Sequence, residues 1–196
     1  MSPNNTPKRA ADYGLPTYFD MQAKMGHTKH LGGRKATDDL VALCQIGAGQ
    51  IILNVGSGSG ISATYLAQTY GCKVKGIDIL PGMVESAKKR VQEKGLSDQL
   101  DFRVADACDL PFEDNYFDAL ISESVNTFIP DRKKAMREYF RVVKPGGYIG
   151  FNEAIWIKEP SDAIAEIITE ATSQQFKSPQ IWEDLFWEAG LTNLAT

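Results

Sequence analysis

Only 2 histidines and 3 cysteines occur in the 196 residues of this chain. Cys44, Cys72 and Cys108 form no CxxC pair and stand near no histidine cluster, which excludes a disulfide framework and zinc-ligand spacing. Reduced, partly buried thiols and no metal are expected. No apolar run approaches the roughly eighteen residues that a membrane span requires, and the N-terminus lacks the apolar centre of a signal peptide. Basic residues are outnumbered, 21 Lys and Arg against 25 Asp and Glu, for a net charge of -4. A general affinity for nucleic acid is therefore not expected, and a cytoplasmic location is. No internal repeat or low-complexity stretch is present.

What is present suits one buried core, with 43% hydrophobic and 23% charged residues. Residues 1–35 read as a polar, Pro-containing tail and a lid segment bearing Tyr13, Tyr18 and Phe19. Residues 36–196 read as a single domain. Thr37 is a cap for a helix whose Leu40, Val41 and Cys44 share a face. From Ile51 onward strands alternate with helices. Ile51–Val55 is a short apolar strand, Ile61–Tyr70 a helix stopped by Gly71, and Lys73–Ile79 a second strand. Pro81 opens a helix that stops at Gly95, followed by strands at Leu100–Ala105 and Phe117–Ser122. Asp131 caps an amphipathic helix that ends at Lys144-Pro145-Gly146-Gly147, and Tyr148–Asn152 is a fifth strand. Two helices follow, one with Ile164, Ile167 and Ile168, the other starting at Ser178-Pro179. This alternation predicts a Rossmann-like, doubly wound α/β fold with a mostly parallel sheet and its ligand site at the carboxyl ends of the strands.

The chemistry-bearing residues fall at those ends. Gly56-Ser57-Gly58-Ser59-Gly60 lies between the first strand and its helix, where glycine lets backbone approach a ligand or simply makes a tight turn. Asp78 closes the second strand roughly twenty residues later, placed to accept from ribose hydroxyls or to cap the next turn. A dinucleotide site wants a third Gly or Ala where Ile61 stands, which disfavours an NAD-dependent oxidoreductase.

The run Phe102-Arg103-Val104-Ala105-Asp106-Ala107, then Leu110-Pro111-Phe112, Asn115-Tyr116-Phe117-Asp118-Ala119 and Arg141-Val142-Val143-Lys144-Pro145-Gly146-Gly147, resembles the class I S-adenosylmethionine-dependent methyltransferases, in order, from about Ile51 to Asn152. The resemblance implies that S-adenosylmethionine is bound, with S-adenosylhomocysteine as product, and that the methyl acceptor is a small molecule. It implies that Gly56, Ser57, Gly58 and Gly60 hold the methionine part. Asp78 would hold the ribose with Ile79 beside the adenine, Asp106 and Ala107 would read the adenine, and Ser122 would border the methyl. Asn54 and Ser57 depart from the family's first motif, in which an acid and a Cys or Gly are usual. His30-Leu31-Gly32-Gly33 resembles the entry segment of the phosphoethanolamine, glycine-betaine and tocopherol enzymes, which makes His30 a candidate for the cofactor carboxylate. Ser124 and Phe128 replace the Asp and His of the phosphoethanolamine enzymes.

Amine, phenol and carbon acceptors must lose a proton, and Glu123 and Glu153, at the ends of the fourth and fifth strands, are the catalytic candidates, with His27 and His30 behind them. A cofactor-binding protein without catalysis is the alternative reading. Only five strands can be counted where this fold usually has seven. The exposed edge of the fifth predicts either a longer parent chain or a homodimer.

Overall fold

Short apolar runs become strands because both of their faces can be buried, and glycine ends most of the helices between them. The computed structural model describes residues 30–195. In order these form α1 (Gly33–Leu43), β1 (Ile51–Val55), α2 (Ile61–Tyr70), β2 (Lys73–Asp78), α3 (Pro81–Lys94) and β3 (Leu100–Val104). Then come β4 (Phe117–Glu123), a 3-10 turn (Asn126–Phe128), α4 (Arg132–Val142), β5 (Val143–Asn152), α5 (Asp162–Thr172) and α6 (Pro179–Ala189). Gly71 and Gly95 close α2 and α3 in left-handed conformations that glycine adopts without a side-chain clash.

The sheet order is β3-β2-β1-β4-β5, and every pairing is parallel. Adjacent residues of a strand face opposite ways, so Ile52 and Leu53 enter different cores. On one face Ile52, Val74, Phe102 and Ile121 pack with Val41, Leu66 and Val84 of the helices. On the other, Leu53, Val55, Ile77 and Leu120 pack with Met136, Tyr139, Trp182 and Leu185. The winding reverses between β1 and β4, which stay paired up to Val55 and Ser122, and the segments that leave them turn to opposite faces of the sheet and open a crevice.

The expected α/β order is thus present, with three local differences. Thr37 is not a cap: α1 starts earlier, behind Gly32, and Thr37 is buried inside it, donating its hydroxyl to Glu123. Consequently α1 runs across the boundary expected at 35/36. The Lys144-Pro145-Gly146-Gly147 segment does not end α4 but lies within β5, as a bulge. Val143 already pairs with Phe117, and Tyr148 resumes the ladder opposite Ala119. Residues 191–195 add no strand, and β5 has one neighbour among the described residues. Tyr13, Tyr18, Phe19 and His27 lie outside the described residues. Among those described, no helix is long and apolar enough to cross a membrane.

The strand beneath the glycine turn is tightly fitted. A Cβ on Gly76 would come within 2.4 Å of the Phe102 ring and 2.9 Å of the Ser57 Cβ. Gly76→Ala should therefore cost about 1–3 kcal/mol by overpacking, read as a lowered urea midpoint at unchanged slope. An unaltered midpoint would show that Phe102 yields freely.

Candidate active site at the crevice

The site begins where β1 runs into Gly56. The Ser57 N–H donates to the Ile77 carbonyl at 2.8 Å, which ties the glycine turn to β2. The Gly58 N–H donates to Asp78 Oδ2 at 2.8 Å, and the Leu80 N–H to Asp78 Oδ1 at 3.0 Å. One carboxylate thereby fixes both the turn and the start of α3. Burial pushes the Asp78 carboxyl above its ordinary value, while the Leu80 and Gly58 N–H groups pull it back in part.

Above this turn lies a cavity of about 710 Å³, lined from β1, β2, β4 and the segments that follow β2, β3 and β4. Its charged wall is mostly acidic: Asp78, Asp106, Asp131 and Glu123 face one lysine, Lys134. Asn54 Oδ1, Ser57 Oγ and Glu123 Oε2 are buried at this cavity and have no hydrogen-bond partner among the described residues. Such atoms call for a ligand with polar hydrogens or for water. Ile79 lines the same space yet is 64% exposed, an apolar surface suited to a flat partner.

Glu123 and His30 meet at the rim toward α1. Thr37 donates to Glu123 Oε1 at 2.8 Å, and His30 Nδ1 lies 3.4 Å from the same oxygen. His30 Nε2 is 3.3 Å from the Thr37 hydroxyl, and Asn152 Nδ2 donates to the Leu31 carbonyl. The N–H of Leu31 donates to Ser124 Oγ. The segment before α1 is thus stitched to the ends of β4 and β5.

The cavity brings together His30, Gly56, Ser57, Gly58, Asp78, Ile79, Asp106, Ala107 and Glu123. Three expected residues lie elsewhere. A Cβ on Gly60 would meet Phe102 and Ala87, so its missing side chain permits close packing of β3 and α3 rather than ligand approach. Ser122 is fully buried, and its Oγ accepts from Asn126 Nδ2. Glu153 turns under the loop after β4, where Oε1 accepts from the N–H groups of Val125 and Asn126. Glu153 is not among the residues that line the cavity, and its Oε2 is buried without a hydrogen-bond partner among the described residues. Val125 and Lys134 also line this cavity, and Thr37 reaches its rim through Glu123, although no motif marks any of the three. The spacing of Thr37 on the buried stripe of α1 was the available signal, whereas nothing local marks Val125.

The chain belongs to the class I S-adenosylmethionine-dependent methyltransferases, since residues 53–151 match the family described as methyltransferase domain. Among its relatives, an uncharacterised protein of Haemophilus influenzae is 32% identical over 89% of this chain and 71% of its own length. Methyltransferase GfsG of Streptomyces halstedii is 34% identical over 70% of this chain, which spans only 49% of that enzyme. Phosphoethanolamine N-methyltransferase 2 of Haemonchus contortus, solved with phosphomonomethylethanolamine and S-adenosylhomocysteine, superposes with a TM-score of 0.73 at 25% identity. That superposition covers 81% of this chain and 37% of the Haemonchus chain.

The raised Asp78 carboxyl has a signed consequence. Its folded form holds the proton more tightly than the ordinary value of 3.8 implies. The stability this group contributes is complete below that value and is lost as pH rises through the folded-state value. Asp78→Asn, which carries no charge, should gain melting temperature relative to wild type on going from pH 4 to pH 7. An unchanged difference between the two melts would contradict the burial argument.

Proposed function

We propose that this chain binds S-adenosylmethionine in the 710 Å³ cavity and passes the methyl group to a small-molecule acceptor. The observation that carries the reading is the acidic, partly unpaired wall beside a glycine turn locked by Asp78. When bound, S-adenosylmethionine supplies an electrophilic methyl on a positively charged sulfur, which the acceptor displaces in line. Four carboxylates against one lysine suit that cation and the amino-acid ammonium. They oppose a pyrophosphate, as does Ile61 in place of a small helix residue.

Asp78 Oδ2 accepts from the Gly58 N–H and Oδ1 from the Leu80 N–H, and the carboxylate is assigned to a ribose hydroxyl. Asp106 Oδ1 accepts from the Cys108 N–H at 2.8 Å. That turn holds the carboxylate in place, and Oδ2 is the group assigned to an adenine amino hydrogen. Asn54 Oδ1, standing in for the family's acid, accepts from the ammonium without adding charge. Glu123, steadied by Thr37 and beside His30, takes the acceptor's proton where the acceptor is a hydroxyl or an amine. Ser124, Phe128 and Ile129 form the adjoining wall. The open edge of β5 is where a second copy of the chain would pair.

Melting curves with S-adenosylmethionine, S-adenosylhomocysteine and NAD separate the cofactor classes, because a ligand that binds only the folded state raises its melting temperature. A shift with the two adenosyl ligands and none with NAD is expected. Asp78→Ala should weaken S-adenosylhomocysteine roughly tenfold or more, since a hydrogen bond to a charged group is worth about 1.5–3 kcal/mol. Gly58, at φ 52, tolerates a branched residue poorly, and Gly58→Val should abolish binding with a smaller loss of stability. Turnover against a panel of hydroxyl and amine acceptors, in wild type and Glu123→Gln, then tests catalysis. Tight binding with no turnover on any acceptor would favour the binding-protein reading.

A further inference from the structure

Glu153 lies away from the cavity, yet it is tied to the cavity through a chain of contacts. Its Oε1 accepts three hydrogen bonds: from Val125 N at 2.9 Å, Asn126 N at 2.7 Å and Asn126 Nδ2 at 3.0 Å. Asn126 is fully buried and saturated, since Oδ1 accepts from the Tyr139 hydroxyl at 2.9 Å and Nδ2 also donates to Ser122 Oγ. Arg132, itself buried, donates to the carbonyls of Asn126, Thr127 and Gln175. The loop after β4 is therefore gripped by polar groups from β4, β5, α4 and the segment after α5.

What that grip holds is Val125. A Cβ on Gly56 would fall 2.2 Å from Val125 Cγ2 and 2.7 Å from Cγ1, so the valine methyls already fill that place. Gly56, at φ 62, opens the turn that carries Ser57 and Gly58 along the cavity. The loop after β4 thus presses directly on the turn after β1.

We propose that Glu153 is a positioning residue which, by fixing the amides of Val125 and Asn126, seats Val125 on Gly56 and so shapes the turn that receives the methionine half of the cofactor. The inference rests on the reading of that turn as part of the cofactor site. Three N–H donors converging on one oxygen favour a carboxylate, though the carbonyl of a glutamine can still accept from the same groups. A graded series is therefore available.

The test uses the full chain, with S-adenosylhomocysteine as the probe in calorimetry and backbone amide NMR of Gly56 and Ser57. Glu153→Ala should weaken the probe about tenfold and move both amide signals in the ligand-free protein. Glu153→Gln should recover binding to within about threefold of wild type. Val125→Gly, which leaves Glu153 in place, should reproduce the same amide shifts and remains informative if Glu153→Ala fails to fold. The combination Val125→Gly with Glu153→Gln should be less than additive, since both act through one contact. Val91→Ala, a cavity in the opposite core, should lower the melting temperature without moving either signal. Glu153→Ala and Val125→Gly proteins that are less stable but show wild-type affinity and wild-type Gly56 and Ser57 signals would overturn the proposal. Failure of the wild type to bind the probe would instead remove the cofactor reading, while the amide shifts would still report the Glu153–Gly56 coupling.

Discussion

The two hydrogen bonds that Asp78 accepts from Gly58 and Leu80 hold the site together. Through them the end of β2 fixes the turn after β1 and the first turn of α3 at once. The turn could not come so close with side chains in the way, which explains the bare Cα of Gly76 below it and of Gly56 beside it. Placing a carboxylate here has a cost, since burial disfavours its charged form. A ligand offering hydroxyl hydrogens would relieve that penalty, so the same group organises the turn and favours such a ligand.

Electrostatics separates this crevice from others of the same topology. A parallel sheet with this strand order serves phosphates as readily as it serves thioethers and sulfonium ions, and topology alone does not choose. Here the wall carries Asp78, Asp106, Asp131 and Glu123 with Lys134 as the counterweight. The Asn at position 54 moderates that negative field while retaining an acceptor. The buried polar cluster around Asn126, next to the wall residue Val125, holds both Arg132 and Glu153, whose opposite charges interact, and it ties the loop after β4 in place.

Most of the architecture was legible because its signals are local. Glycine stops at 71 and 95, the Asp131 cap and apolar runs of strand length each mark an element without reference to anything distant. Asp78 and the glycine turn were legible for the same reason, each standing at a strand end. What the sequence does not show is long-range. Thr37 has the chemistry of a cap, but its hydroxyl is used by Glu123, 86 residues on. Glu153 sits at a strand end as a catalytic acid would, yet three donors from the loop after β4 had prior claim on it. Lys144 to Gly147 reads as a helix stop, whereas the pairing of Val143 with Phe117 draws it into the sheet as a bulge.

The bond from Thr37 to Glu123 also bears on where a functional unit begins. The family match starts at residue 53, inside β1, but a group that steadies Glu123 stands sixteen positions earlier, and the backbone of Leu31 is fastened to Ser124 and Asn152 earlier still. The contacts that fix Glu123 thus begin ahead of the residues that match the family. The stretch that precedes the sheet reaches the rim of the cavity through His30 and, by way of Glu123, through Thr37, so exchanging it would reshape that rim while leaving every strand in place.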